Sequence, residues 1–99
     1  MTVYISGPIT GNKNYIEDFW NAWVYLNNKG LTPVSPVDVG IALEKKLKRK
    51  PTWSEYMRED IKSLMDCDGI YMLDGWMESK GASAEVLIAR LVGINHITL

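Results

Sequence analysis

Short apolar runs alternate with longer segments of helical spacing along the whole chain. The apolar runs, which are typical of strands, cover residues 3–5, 31–34, 69–73 and 94–99. The segments of helical spacing cover residues 14–29, 38–47 and 82–92, and a further segment ends at Cys67 with Thr52 or Ser54 as its possible cap. Because helices that separate consecutive strands act as crossover connections, this order predicts a parallel sheet with helices on both faces.

The expected class is therefore α/β: a three-layer, flavodoxin- or Rossmann-like fold with a small parallel sheet of about four strands. We expect residues 1–99 to form a single domain, since this length is near the commonest domain size. Right-handed crossovers bring the loops after Ile5, Val34 and Leu73 to one edge of the sheet. Open α/β sheets bind their ligands at that edge.

Composition excludes several classes of protein. The net charge of −1 provides no general attraction to nucleic acid or to an anionic membrane, and no apolar run approaches the ~20 residues of a membrane span. One cysteine, Cys67, rules out a disulfide within the chain and a Cys-based zinc site, and it fits the reducing cytoplasm. With one histidine, His96, we expect no His-rich metal site.

The segment of residues 79–90 follows the third apolar run and contains one acidic residue, Glu85. It lies four residues after Gly81, and the small side chains between them leave room for a ligand beside the carboxylate. A glutamate in the first turns of a helix also stabilises the helix dipole. Glu85 taken alone is therefore equally consistent with a structural role.

The loop after the first strand combines glycines with hydroxyl side chains, which suits close approach by a sugar or a phosphate. It consists of Ser6, Gly7, Pro8, Ile9, Thr10 and Gly11. It lacks the Gly-Lys-Ser/Thr ending of a Walker loop and the G-x-G-x-x-G fingerprint. An ordinary strand-to-helix turn would account for the same composition.

Helical spacing places Tyr56, Asp60 and Leu64 on one stripe, which predicts a partly buried or cleft-facing Asp60 carboxyl. The basic segment of residues 45–50 could bind phosphates, but a solvated helix end and loop is the expected state.

Four tryptophans are a high count for this length. Trp20 and Trp23 follow the helical spacing of their segment, so we expect them in the core. Trp53 and Trp76 fall in predicted loops at the ligand edge of the sheet. There they could stack on a base or pack over the edge of the sheet.

Together these residues resemble the nucleoside 2-deoxyribosyltransferase superfamily. That group includes the 2′-deoxynucleoside 5′-phosphate N-hydrolases and small relatives found largely in phages and bacteria. The resemblance rests on the order and spacing of residues 4–11, 58–70, 75–76 and 81–93.

The resemblance implies a role for each matching residue. Glu85 would attack or stabilise the anomeric carbon of a nucleoside, Asp60 would assist near the sugar and base, and Tyr4 would hold the glutamate. A carboxylate suits this chemistry because breaking an N-glycosidic bond builds positive charge on the sugar. The implied substrate-binding residues are the first loop, from Ser6 to Gly11, together with Trp76, Ser79 and Gly81.

One position separates the branches of that superfamily. Transferases acting on unphosphorylated nucleosides have an aspartate six residues before the glutamate, where this chain has Ser79. A hydroxyl can donate to a phosphate that a carboxylate would repel, so the resemblance favours a nucleoside 5′-monophosphate. Pro8 removes one backbone donor from the first loop and weakens this argument.

The expected activity is therefore hydrolysis of the base–sugar bond of a (deoxy)nucleoside 5′-monophosphate, a small-molecule substrate, without cofactor. Two alternatives in the same pocket are a nucleoside deoxyribosyltransferase and a non-catalytic nucleotide-binding module, and a third is a small interaction domain. Because so short a chain has few loops to enclose a nucleotide, we also expect a homo-oligomer that completes the pocket between subunits.

Overall fold

A computed structural model describes residues 1–98, and within that range it contains four strands and four α-helices. The strands are β1 (Thr2–Ser6), β2 (Thr32–Val34), β3 (Gly69–Met72) and β4 (Asn95–His96). The helices are α1 (Tyr15–Asn28), α2 (Pro36–Leu47), α3 (Trp53–Met65) and α4 (Lys80–Leu91), with a short 3-10 helix at Trp76–Glu78. The predicted α/β class is confirmed, and Leu99 of the predicted last strand lies outside the described residues.

The four strands are all parallel and lie in the order β2-β1-β3-β4. The chain first moves from β1 outward to β2 and then returns to the other side of β1 with β3. The carboxyl ends of β1 and β3 are therefore neighbours, with Ser6 in register with Met72. A reversal of this kind is the topological switch point at which open α/β sheets bind their ligands.

Side chains of β1 alternate between the two faces of the sheet and thereby connect both helical layers. Val3 and Ile5 belong to a cluster that includes Phe19 of α1. Tyr4 points to the other face, where it packs with Leu64 of α3 and with residues of α4. Because α1 covers one face and α3 and α4 cover the other, the central strand is buried on both sides.

Local sequence determines where the helices of the second layer begin. The Thr52 side chain accepts from the backbone of Glu55, and the Glu55 side chain accepts in return from the Thr52 backbone, which forms a capping box at the start of α3. Ser35 caps α2 in front of Pro36. These caps fix the first residue of α2 after β2 and the first residue of α3 after the loop that follows α2.

The expectation that Trp20 lies in the core is wrong, since its side chain is 60% exposed. The buried side of α1 is formed by Phe19, Ala22 and Leu26. One residue corresponds to about 100° of rotation around a helix, so Trp20 turns away from the sheet that Phe19 contacts. Trp20 instead stacks on the half-buried Trp23 at 5.5 Å between ring centroids.

Trp53 also differs from its expected position in a loop. It is the first residue of α3, where its side chain is 45% exposed. The Thr52 cap accounts for this difference, because it starts the helix immediately before the tryptophan. No helix within residues 1–98 is long and apolar enough to cross a membrane.

Gly7 follows β1 directly and lies against the chain that leaves β3. A Cβ atom at this position would be 2.8 Å from the Cβ atom of Leu73. The Leu73 amide also donates to the Ser6 carbonyl at 2.8 Å, which keeps the two strand ends together. The absence of a side chain at Gly7 is therefore what allows the two strand ends to approach.

Gly7→Ala is expected to destabilise the protein by about 1–3 kcal/mol, because the new methyl group would force the strand ends apart. Urea unfolding followed by circular dichroism measures this change. Thr10→Ala, in the exposed part of the same loop, serves as control and should change stability by less than about 0.5 kcal/mol. Equal stability of Gly7→Ala and wild type would contradict the contact with Leu73.

Candidate functional site

The Glu85 carboxyl group is buried at the switch point, with a residue exposure of 4%. The Tyr4 hydroxyl donates to Glu85 Oε2 at 2.6 Å, and the Ser6 hydroxyl donates to Glu85 Oε1 at 2.7 Å. Both donors come from β1, where they are two residues apart and so lie on the same face of the sheet. Each oxygen of the carboxyl group is therefore held by its own hydroxyl group.

The direction of α4 explains how the Glu85 side chain reaches the carboxyl edge of the sheet. The helix follows β3 and begins at the carboxyl edge of the sheet. Side chains on a helix tilt toward its amino terminus, so the Glu85 side chain leans back toward that edge. The α3 helix precedes β3 and also has its amino terminus there, so Asp60 leans the same way.

Asp60 forms the second acidic group of the site and is 7% exposed. Among the side chains of residues 1–98, none forms a hydrogen bond with its buried Oδ1 atom. Burial, and after it the charges of Glu85 and Glu59, raise the pKa of the Asp60 carboxyl to about 8. At neutral pH Asp60 therefore carries a proton.

Glu85 is held in a different environment from Asp60. Burial raises the pKa of the Glu85 carboxyl, but the hydrogen bonds donated by Tyr4 and Ser6 act in the opposite direction because they stabilise the anion. Burial and the nearby Glu85 charge raise the pKa of the Tyr4 hydroxyl well above its usual range, so it remains a donor. The two hydroxyl donors thus oppose the effect of burial on the pKa of Glu85, whereas no such donor opposes the raised pKa of Asp60.

A cleft of about 380 Å³ opens at the same edge of the sheet. Its lining consists of Pro8, Thr10, Gly11, Asn12, Gly75, Glu78 and Ser79. The Ser79 hydroxyl oxygen accepts from the Ala82 amide at 3.2 Å and caps α4. Since Glu85 follows Ser79 by six residues, the backbones of the two residues are about 9 Å apart along the helix axis.

The cleft contains some of the residues predicted to bind substrate and not others. Four of them line it, namely Pro8, Thr10, Gly11 and Ser79. Ile9 and Trp76 pack instead against the two apolar clusters of the core. Gly81 faces the Met57 sulfur of α3, which a Cβ atom would meet at 3.3 Å.

Ser6 and Gly7 were also predicted to bind substrate, but they are not among the residues that line the cleft. The Ser6 hydroxyl is fully buried and bonded to Glu85, so it holds the carboxylate rather than lining the cleft. This link joins residues 79 positions apart, and only the alternation of β1 together with the position of α4 creates it. No pattern in the sequence pairs a serine of the first strand with this glutamate.

Three lining residues, Asn12, Gly75 and Glu78, were not among the predicted substrate contacts. The Asn12 amide donates to the Pro8 carbonyl at 3.0 Å and to Asp18 at 3.1 Å, which ties the first loop to α1. Its place one residue after Gly11, just before a helix, is the signal that could have identified it. Glu78 brings a carboxylate into the cleft, and an exposed residue of this kind has no distinguishing pattern.

The other polar segments of the chain do not form a second cluster with the site. Arg49 of the basic segment makes a bidentate contact with Glu55, at 2.8 and 2.7 Å, so this guanidinium is occupied at the surface. Between residues 1 and 98 there is no group of three or more His, Cys, Asp or Glu side chains that could hold a metal ion.

The chain belongs to the family described as "Domain of unknown function (DUF4406)", whose pattern matches residues 1–98. The match covers all elements of the sheet and both buried carboxyl groups, so the candidate site lies within the family's domain. A search of curated proteins found no match to this chain.

The pKa of Asp60 makes the stability of the fold dependent on pH. The unfolded chain loses this proton near pH 4, whereas the folded protein keeps it to about pH 8. The folded state therefore binds more protons between these values, and its stability should fall as the pH rises through this window. In Asp60→Asn this contribution is absent, so the variant should gain most relative to wild type at about pH 9.

Urea unfolding at about pH 5, about pH 7 and about pH 9 measures the effect through the transition midpoint. Asp38→Asn, which changes an exposed carboxyl group of α2, should follow the wild type at each pH. If Asp60→Asn and wild type declined equally with pH, Asp60 would not hold a proton in the folded protein.

Proposed function

We propose that the protein is an N-glycosidase that cleaves the base–sugar bond of a nucleoside 5′-monophosphate. The observation that carries this proposal is the pairing of an anchored carboxylate, Glu85, with a carboxyl group that holds its proton, Asp60. Glycoside cleavage needs one carboxylate that meets the positive charge on the sugar and one acid that serves the leaving group.

In the first step of the proposed reaction, a Glu85 oxygen attacks C1′ of the sugar while the bond from C1′ to the base nitrogen breaks. The electron pair of that bond leaves with the base, and Asp60 supplies the proton that neutralises it. The products of this step are a free base, an Asp60 carboxylate and a glycosyl ester on Glu85.

In the second step, the Asp60 carboxylate takes a proton from a water molecule as its oxygen attacks C1′. The ester bond breaks, the sugar phosphate leaves, and both side chains return to their starting protonation states. If a second base attacks C1′ in place of water, the same site becomes a deoxyribosyltransferase. The two activities therefore differ only in the acceptor.

Tyr4 and Ser6 act in this scheme as positioning residues. Their hydroxyl groups fix the plane of the Glu85 carboxyl and stabilise its charge in a buried environment. Without them the buried carboxyl group would take up a proton and lose its nucleophilic form. Because these donors already hold the carboxylate in position, no further free energy is needed to orient it in each turnover.

The phosphate part of the proposal concerns the cleft between the first loop and Ser79. The Ser79 oxygen already accepts from the Ala82 amide, which leaves its own hydrogen free to donate to a ligand. The amino terminus of α4 adds a positive dipole end next to it. The Glu78 carboxylate repels an anion in the same cleft. The preference for a phosphorylated ligand therefore depends on the balance between this repulsion and the attraction by Ser79 and the amino terminus of α4.

Glu85→Gln is expected to reduce base release by at least ~10³-fold, because the amide keeps the size of the side chain and removes the nucleophile. Release of free base from a panel of nucleosides and nucleoside monophosphates, read by chromatography, measures it. Glu17→Gln on the exposed side of α1 is the matched control and should act as wild type. Wild-type rates in Glu85→Gln would disprove the assignment.

Measurements of nucleotide binding and base release on the wild-type protein distinguish the proposed enzyme from a binding module. Nucleotide binding by calorimetry without any base release would favour the non-catalytic module. If no nucleotide bound at all, the small interaction domain would be the better description.

A nucleoside monophosphate is expected to bind at least ~10-fold more tightly than its nucleoside, a difference of ~1.4 kcal/mol. Ser79→Asp should erase this preference, because it places a charge against the phosphate while an aspartate still caps the helix. Glu78→Gln should increase the preference, since it removes the opposing carboxylate. Calorimetry with matched pairs tests both, and tighter nucleoside binding by wild type would favour the transferase.

The proposed enzyme works as a homo-oligomer in the cytoplasm. Large apolar side chains that are exposed in the single chain support association, among them Ile16 and Trp20 of α1 and Met77 beside the cleft. In sequence Met77 lies between the lining residues Gly75 and Glu78, so a neighbouring subunit that covered it would also narrow the cleft. A cytoplasmic enzyme fits the single reduced cysteine.

A further inference from the structure

The outer face of α4 and the 3-10 helix beside it carry exposed apolar side chains. Leu87 and Leu91 point away from the buried side of α4 and are 58% and 75% exposed, and Met77 of the 3-10 helix is 69% exposed. The Ser83 hydroxyl donates to the Trp76 and Met77 carbonyl oxygens at 3.2 and 3.1 Å, which holds the 3-10 helix against α4. The apolar side chains therefore form one surface, called here the α4 face, which continues to the edge of the cleft.

Two charged side chains border the α4 face at opposite ends. Arg90 and Glu78 are both exposed, and neither forms an ion pair with another of residues 1–98. The Arg90 guanidinium lies over the Trp76 ring, 5.9 Å from its centroid, and hence on the side of α4 where the 3-10 helix packs. Glu78 lines the cleft. The α4 face thus presents a cation near its carboxyl end and a carboxylate near its amino end, both on one side.

This arrangement is complementary to itself about Ala84. Leu91 and Met77 are seven residues after and before Ala84, and Arg90 and Glu78 are six residues after and before it. Two α4 helices that pack antiparallel with Ala84 at the crossing point therefore bring Leu91 to Met77 of the partner subunit. The same pairing brings Arg90 to Glu78 of the partner subunit. The small Ala84 side chain allows a close crossing, whereas parallel packing would place the two Arg90 side chains at the same level.

We propose that the α4 face is the interface between two copies of this chain, packed antiparallel so that Arg90 of each copy reaches Glu78 in the cleft of the other. The complementary charges select a second copy as the occupant, since an unrelated partner would have to match both ends. Apolar side chains at the centre with charges at the rim are the usual composition of such an interface.

The pairing also changes the cleft. Among residues 1–98, none of those that line it is a cation. In the dimer, the partner's Arg90 offsets the Glu78 carboxylate and adds a guanidinium that can bind a phosphate. This consequence for the ligand rests on the proposed function, whereas the interface itself does not.

Sedimentation velocity over a range of concentrations tests the interface. Wild type should sediment as a dimer, and Leu91→Glu should raise the dissociation constant at least ~10-fold, because it places a charge at the centre of the contact. Ile41→Glu, at an exposed apolar position of α2, is the matched control and should remain a dimer. A monomeric wild type, or an unchanged dissociation constant in Leu91→Glu, would overturn the proposal.

Reversal of the two charges tests the antiparallel geometry. Arg90→Glu and Glu78→Arg should each weaken the dimer at least ~10-fold, since each places like charges together at both symmetric contacts. The double variant restores opposite charges and should return to within ~3-fold of wild type. If the double variant were weaker than either single variant, Arg90 and Glu78 would not meet.

A disulfide tests the position of the crossing point. Ala84→Cys should form a covalent dimer under mild oxidation, because a disulfide needs Cα atoms about 4.4–6.8 Å apart. Glu17→Cys on α1 serves as control and should stay uncrosslinked, and the native Cys67 is buried. A dimeric Ala84→Cys variant that formed no disulfide would place the interface elsewhere.

Ligand binding distinguishes this inference from the proposed function. Arg90→Gln, studied by calorimetry at concentrations where it is dimeric, should bind a nucleoside monophosphate about 3-fold more weakly and its nucleoside as wild type does. An unchanged phosphate preference would overturn the placement of Arg90 at the cleft. A dimer that depends on Leu91 and Arg90 but releases no base would leave the interface standing and remove the glycosidase. Base release by a strictly monomeric wild type would do the reverse.

Discussion

The burial of Glu85 is the constraint on which the rest of the site depends. A carboxylate removed from water is costly unless donors replace its hydration, and here the Tyr4 and Ser6 hydroxyl groups replace it at 2.6 and 2.7 Å. These hydrogen bonds form only if β1 lies in the centre of the sheet and α4 packs on it with Glu85 next to Tyr4 and Ser6. The network therefore couples the first strand to the last helix, and shifting either element would leave a buried charge without partners.

The strand order produces a second consequence at the same place. Because β1 and β3 are neighbours and every crossover runs in the same sense, α3 and α4 both have their amino termini at the carboxyl edge of the sheet. Asp60 and Glu85 lean toward that edge from adjacent helices, so their charges interact. The charge of Glu85 adds to burial in raising the pKa of Asp60, and no hydroxyl donor opposes this effect as Tyr4 and Ser6 do at Glu85.

Much of the fold was predictable from the sequence because the alternation of apolar runs and helical segments leaves few ways to arrange a parallel sheet. The position of Trp20 was not, because a wide apolar stripe on α1 does not reveal which side faces the sheet. The burial of Asp60 was expected from its place next to Leu64, whereas the link from Ser6 to Glu85 was not. That link depends on the register of β1 against α4, which no local pattern encodes.

Asp60 and Glu85 belong to the same class of side chain, and their environments alone give them different chemistry. Glu85 receives two hydroxyl hydrogen bonds and is stabilised as an anion, whereas the buried Oδ1 of Asp60 receives none from residues 1–98. If the hydroxyl groups had lain beside Asp60 instead, the proposed nucleophile and the proposed acid would exchange places. The proposed assignment of roles therefore follows from two residues of β1, Tyr4 and Ser6, which in the proposed mechanism only position Glu85. A structural role and a catalytic role for this network require the same hydrogen bonds. Only the catalytic role also requires Asp60 to hold a proton at neutral pH.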